Sequence, residues 1–186
     1  IMVDLFNYTR RASSVAHVGE LDLGGNNPIR IQSMTTTNTN DTEACVRQAE
    51  EIIKAGGELV RFTTQGSREA ENMKNINAGI RADGFTTPLV ADIHFNPNVA
   101  DVAALYCEKV RINPGNYVDP ARKFIKQEYT DEEYAHELQK IEERFVPFLN
   151  ICKENHTAIR IGVNHGSLSD RIRNRYGDTP EGIVES

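Results

Sequence analysis

The chain has 186 residues, 39% of them hydrophobic, and a formal net charge of −6 at pH 7. That is enough apolar material for one core, and no apolar run approaches the roughly 20 residues of a membrane helix. The acidic balance argues against a nucleic-acid backbone as main partner, and Arg10 and Arg11 follow the short apolar start, the reverse of a secretory signal.

Residues 1–27 form an N-terminal segment in which 15–19 and 21–25 alternate around a Gly19-Glu20 turn, the pattern of a short hairpin. From residue 28 onward, strand and helix patterns alternate. PIRIQSM (28–34) reads as the first core strand, with Ile29 and Ile31 on one face. After a polar loop, Asp41 or Thr42 caps a helix that runs to about Ala55 and ends at Gly56-Gly57. Its apolar stripe is Ala44, Val46, Ala49, Ile52 and Ile53. A second strand over 58–64 leads to Ser67, the expected N-cap of a helix that reaches about Ala82. The third strand, 88–94, is followed by a shorter helix over 98–107. The fourth begins at Lys109 and runs straight into the turn Asn113-Pro114-Gly115-Asn116.

A helical insertion over about 120–157 comes next, with its helix near 131–153 and Pro147 expected to kink or split it. The fifth strand is 158–164, and Thr179-Pro180-Glu181 opens a further helix. Cys45, Cys107 and Cys152 lie far apart, outside any C-x-x-C or Cys/His ligand spacing. They read as small buried hydrophobes of a reducing compartment, ahead of a disulfide or a metal set.

Strict alternation of strands and helices implies an α/β fold with a parallel sheet, either a (β/α) barrel or an open doubly wound sheet. A full barrel needs about 250 residues. If the fold is a barrel it is therefore an incomplete (β/α)8 TIM-type barrel of about five strand–helix units, occupying 28–186 behind the N-terminal β-hairpin.

Binding groups on such sheets gather at the C-terminal strand ends. Alternation there sets Arg61 and Thr63, Asp92 and His94, Arg111 and Asn113, and Arg160 and Asn164 on one face. The opposite face carries Val60, Phe62, Ala91, Ile93, Val110, Ile112, Ile161 and Val163, which suit packing under helices. Three arginines beside one aspartate leave positive charge uncompensated, and burying it costs several kcal/mol per ion without a counter-ion. A phosphate or diphosphate, gripped bidentately by guanidinium groups, is the natural counter-ion. Taken singly, each arginine is more often a surface or ion-paired residue, His94 more often structural, and Gly66 and Gly115 ordinary turn residues. Recurrence at equivalent strand ends is what favours a site.

The segments PIRIQSMTTTNTNDTEACVRQ (28–48), GGELVRFTTQG (56–66), PLVADIHFNPNVA (88–100), KVRINPGN (109–116) and RIGVNHGSLSDRI (160–172) cover nearly the whole chain. In order and content they resemble the 4-hydroxy-3-methylbut-2-en-1-yl diphosphate synthase family of the non-mevalonate isoprenoid pathway. EYTDEEYAHELQKIEERF (128–145) is similar to the insertion of its longer form. The resemblance implies an oxidoreductase whose barrel binds 2-C-methyl-D-erythritol 2,4-cyclodiphosphate. Arg61, Arg111 and Arg160 would grip the anion, His94, Asn113 and Asn164 would be their polar companions, and Asp92 and Thr63 would be further members.

It also implies a [4Fe–4S] cluster held by three cysteines and a glutamate in a C-terminal domain, and reduced flavodoxin or ferredoxin as electron donor. A homodimer in the bacterial cytoplasm, without nucleic acid or membrane, completes that picture. Cys45, Cys107 and Cys152 do not match the cluster ligands. The expectation is thus an N-terminal fragment, without the cluster domain and without turnover of its own. The residues leave two other readings open: a dihydropteroate-synthase-like barrel enzyme, or a non-catalytic anion-binding module.

Overall fold

The chain enters through an antiparallel hairpin, β1 (Val15–Val18) and β2 (Leu21–Gly24), in which Val18 faces Leu21 across the turn. Gly19 takes φ +58°, a left-handed position that a tight hairpin turn demands and that glycine adopts without steric cost. In the computed structural model, residues 7, 11–94, 96–118 and 128–186 are described. The expected first part of the insertion, about 120–127, lies outside them.

Five parallel strands follow in sequence order: β3 (Gln32–Met34), β4 (Leu59–Thr64), β5 (Leu89–Ile93), β6 (Lys109–Ile112) and β7 (Ala158–Ile161). Between and after them come α1 (Thr42–Lys54), α2 (Ser67–Ala82), α3 (Pro97–Ala104), α4 (Asp131–Glu154), α5 (Asp170–Tyr176) and α6 (Pro180–Glu185). The expected α/β order with a leading hairpin is what the chain adopts. Among the described residues no helix is long and apolar enough to cross a membrane.

Local chemistry sets the helix starts. The Asp41 carboxylate accepts from Ala44 N–H at 3.0 Å, and the Asn96 side chain accepts from Asn98 N–H at 3.0 Å. At α2 the expected cap Ser67 is instead the first helical residue. Gly66 holds the cap position, and Glu69 reaches back to accept its N–H at 3.0 Å. In α4, Thr130 and Glu133 make the reciprocal pair of bonds, at 3.2 and 2.8 Å.

Pro147 neither splits nor ends α4, which runs unbroken from Asp131 to Glu154. Phe148 and Cys152 continue its buried stripe past the proline, and Tyr117, Phe145 and Phe148 pack ring on ring, with centroids 5.4–5.9 Å apart. Arg144 further ties α4 to Asp101 of α3 at 2.6 Å. Tertiary packing outweighs one missing backbone hydrogen bond.

The main core lies between the sheet's outer face and the helices. Val60, Phe62, Ala91, Ile93, Val110 and Ile112 pack with Met73, Ile76, Ile80, Val99, Ala103 and Phe148. Burying a side chain such as Phe62 completely is worth about 1.5–3 kcal/mol. Two expectations fail at the sheet margins. Ile29 and Ile31, expected on a core face, are 86% and 61% exposed, because paired β structure starts only at Gln32 and no described element covers the segment before it. Ile161 is 54% exposed and Val163 only partly covered, since eight residues separate β7 from α5, which packs on α6.

A second apolar cluster closes the other side of the sheet. Val18, Leu59 and Val90 are buried together, with Leu21, Leu23 and Ala158 against them. The hairpin therefore covers the inner face at the N-terminal ends of the strands, which leaves the C-terminal ends as the mouth.

Candidate anion-binding site

Side chains on the inner face fall into two rows fixed by strand register. Thr63, Asp92, Arg111 and Arg160 are successive Cα partners across β4 to β7. In the neighbouring row, Met34, Arg61, Val90, Lys109 and Ala158 are partners in the same way. Alternation sends these residues inward, while Val60, Phe62, Val110 and Ile112 pack under the helices.

Asp92 is the hub. It is 2% exposed, and its two carboxylate oxygens take Arg61 Nη2 and Arg111 Nη1, the latter at 3.3 Å. A buried carboxylate between two guanidinium groups holds both side chains in place at little net gain in stability. Arg111 is pinned further: its Nη2 donates to the Gly162 carbonyl at 2.8 Å, and the Asn164 amide, once turned to put its oxygen toward Arg111, accepts from the same nitrogen at 3.3 Å. His94 Nε2 stands 3.9 Å from Asp92 Oδ2, beyond hydrogen-bond distance but within ion-pair reach. Buried Asn113 has an Oδ1 without a hydrogen-bond partner, and so has Arg61 Nε. Thr63 supports the wall, since its carbonyl accepts from Thr39 Oγ1 at 2.6 Å. The Thr35 N–H likewise donates to the Arg61 carbonyl at 2.9 Å, so the polar loop after β3 is fastened over the end of β4.

All eight residues expected from the sequence thus sit on or beside one face, but they are not equivalent. Asp92 gathers Arg61 and Arg111, with Asn164 behind Arg111. Arg160 shares the row yet stays exposed, with no ion pair among the described residues.

Sequence reasoning passed over Lys109. Only 8% exposed, it lies two residues before Arg111 on the same face. Burial first, then the Arg160 and Arg61 guanidinium groups, pull its ammonium below the usual lysine range. The alternation that sets the face of Arg111 puts Lys109 on that face too; its burial is what the sequence does not show. Four cationic groups therefore share the inner face with one carboxylate, and the surplus positive charge suits a ligand with more than one negative charge.

Among the described residues no group of three or more His, Cys, Asp or Glu is placed to hold a metal ion. Cys45, Cys107 and Cys152 are free and buried. Burial raises all three thiols, Cys152 to about 11. Separated, neutral thiols do not fit an iron–sulfur cluster, which binds thiolates.

The model of the GcpE TIM-barrel domain matches residues 13–186. The chain belongs to the GcpE family. As a GcpE chain it has five parallel strands that are barrel strands and an inner face that is barrel interior. It is 76% identical over 184 residues to the 4-hydroxy-3-methylbut-2-en-1-yl diphosphate synthase (flavodoxin) of Phocaeicola vulgatus, covering 99% of this chain and 30% of that protein. The protein of the same name from Bacteroides thetaiotaomicron is 74% identical, with 99% and 30% covered. That from Akkermansia muciniphila is 54% identical over 181 residues, with 97% and 31% covered. The chain spans about 30% of the length of these curated relatives.

Proposed function

We propose that this GcpE barrel portion binds 2-C-methyl-D-erythritol 2,4-cyclodiphosphate for its reductive conversion to 4-hydroxy-3-methylbut-2-enyl diphosphate by the full-length protein. The observation that carries the reading is the surplus of positive charge on the inner face: Arg61, Lys109, Arg111 and Arg160 share it with the single carboxylate of Asp92. The names of the relatives supply the diphosphate.

In this reading Arg111 and Arg61, held by Asp92, present preset guanidinium edges to the phosphoryl oxygens, so little ordering is left for the moment of binding. Exposed Arg160 closes on the anion from the mouth. Lys109 neutralises it from below. His94 and Asn113 orient the polar groups of the sugar-derived part, and Asn164 and Thr63 hold the frame. The overall conversion takes up two electrons and two protons and releases one water. Reduced flavodoxin or ferredoxin is proposed as the donor, and the [4Fe–4S] cluster is assigned to residues outside this chain, in a C-terminal domain of a homodimeric cytoplasmic enzyme. The 1–186 stretch by itself would bind without turnover.

The test is anaerobic turnover of the cyclic diphosphate by the reduced full-length protein, beside Arg61→Ala and Arg160→Ala. Product formation that falls in both variants supports the reading. Turnover indifferent to both would sink it, and equal binding of any phosphate without turnover would favour a general anion module.

A further inference from the structure

We propose that Gly162 is a positioning residue of the anion site: its missing side chain is the slot in which the Arg111 guanidinium lies. This rests on the reading of the inner face as a diphosphate site and adds the element that aims its most tightly held arginine.

Gly162 follows β7 on the inner face, two residues past Arg160. Its N–H donates to the Ile112 carbonyl at 2.8 Å, so its backbone continues the pairing with β6. A Cβ built there would stand 2.7 Å from Arg111 Cζ and 2.8 Å from Nη2, and closer still to Nε. Gly162 is absent from the positive-φ glycines, so the demand for glycine here is for space and not for backbone conformation. The guanidinium cannot simply swing aside. Its Nη2 is bonded to the Gly162 carbonyl at 2.8 Å, its Nη1 to Asp92 at 3.3 Å, and the Asn164 amide, turned with its oxygen toward Arg111, accepts from the same Nη2. Any side chain at 162 therefore displaces Arg111 from all three, and with it the edge offered to the ligand. Gly166, four residues on, has nothing within 4 Å of a built Cβ and serves as the neutral comparison.

The experiment compares the full-length protein with Gly162→Ala, Arg111→Ala, the double variant and Gly166→Ala. Calorimetric affinity for the cyclic diphosphate, urea midpoints and a ligand-free crystal structure of Gly162→Ala are the readouts. A lost charge-assisted hydrogen bond corresponds to about a ten- to hundredfold fall in affinity. That fall is expected in Gly162→Ala, and the double variant should bind no more weakly than Arg111→Ala alone. Any destabilisation by Gly162→Ala should vanish in the Arg111→Ala background, where the clash is gone. Gly166→Ala should match the unsubstituted protein. Additive losses, or a double variant as unstable as Gly162→Ala, would overturn the proposal. Absence of binding by the unsubstituted protein would instead fail the functional reading. The crystal structure decides the slot independently: Arg111 still on Asp92 and the Gly162 carbonyl would refute it.

Discussion

The two faces of the one sheet solve opposite problems. On the outer face Val60, Phe62, Ala91, Val110 and Ile112 are buried in one apolar cluster with the helices, so the face contributes stability. On the inner face, residues one position along the same strands place Arg61, Asp92, Lys109, Arg111 and Arg160 together with one carboxylate among four cations. In the proposed reading those cations cost stability in the free protein and repay it when an anion arrives. The period-two alternation thus puts the helix-packed core and the charged cluster on opposite sides of a single backbone.

The largest effect that sharpens this division is on the outer face. Phe62→Ala should remove about 3–5 kcal/mol of stability by transfer and cavity terms together, read from urea unfolding. The protein that remains folded should bind the cyclic diphosphate as before. Next comes Asp92→Asn, which leaves Arg61 and Arg111 facing each other without their carboxylate. A loss of about 3 kcal/mol is expected in the free protein, with much of it restored by saturating cyclic diphosphate in the same unfolding assay. Arg111→Ala should reverse the pattern: about 1.5–3 kcal/mol less binding energy by calorimetry, with the free protein's urea midpoint unchanged or raised.

The smallest effect is a proton effect at Lys109. Its pKa is lowered in the folded state, so between that value and the ordinary lysine pKa the unfolded chain binds more protons. Stability of the free protein should therefore rise with pH through that window. An anion next to the ammonium restores the proton. Binding should take up protons in that pH range, and affinity should fall as pH rises through it. Titrations in buffers of different ionisation enthalpy measure the uptake, which Lys109→Met should abolish.

Much of this was readable in the sequence because the two periods, 2 for strands and 3.6 for helices, are local. Arg111 between Val110 and Ile112 declares its face without any tertiary information. What was not readable depended on who lies alongside. Ile29, Ile31 and Ile161 carry strand-core chemistry, but their burial is set by elements beyond the sheet margins, and they remain exposed. Pro147 is a helix breaker by local rules and is overruled by the packing of Phe145 and Phe148. The hairpin was visible as a hairpin, whereas its role under Leu59 and Val90 is a long-range contact. Gly162 looked like any glycine at a strand end until Arg111 was seen lying across it.

In the proposed reading the inner-face cations, and no other surface of the barrel portion, hold the diphosphate. Its most direct test is a crystal structure of the full-length protein with the cyclic diphosphate bound. Phosphoryl oxygens are expected within about 3 Å of the guanidinium groups of Arg111 and of Arg61 or Arg160, the range of charge-assisted hydrogen bonds. A diphosphate seated elsewhere, with Arg61 and Arg111 still closed on Asp92 alone, would contradict it.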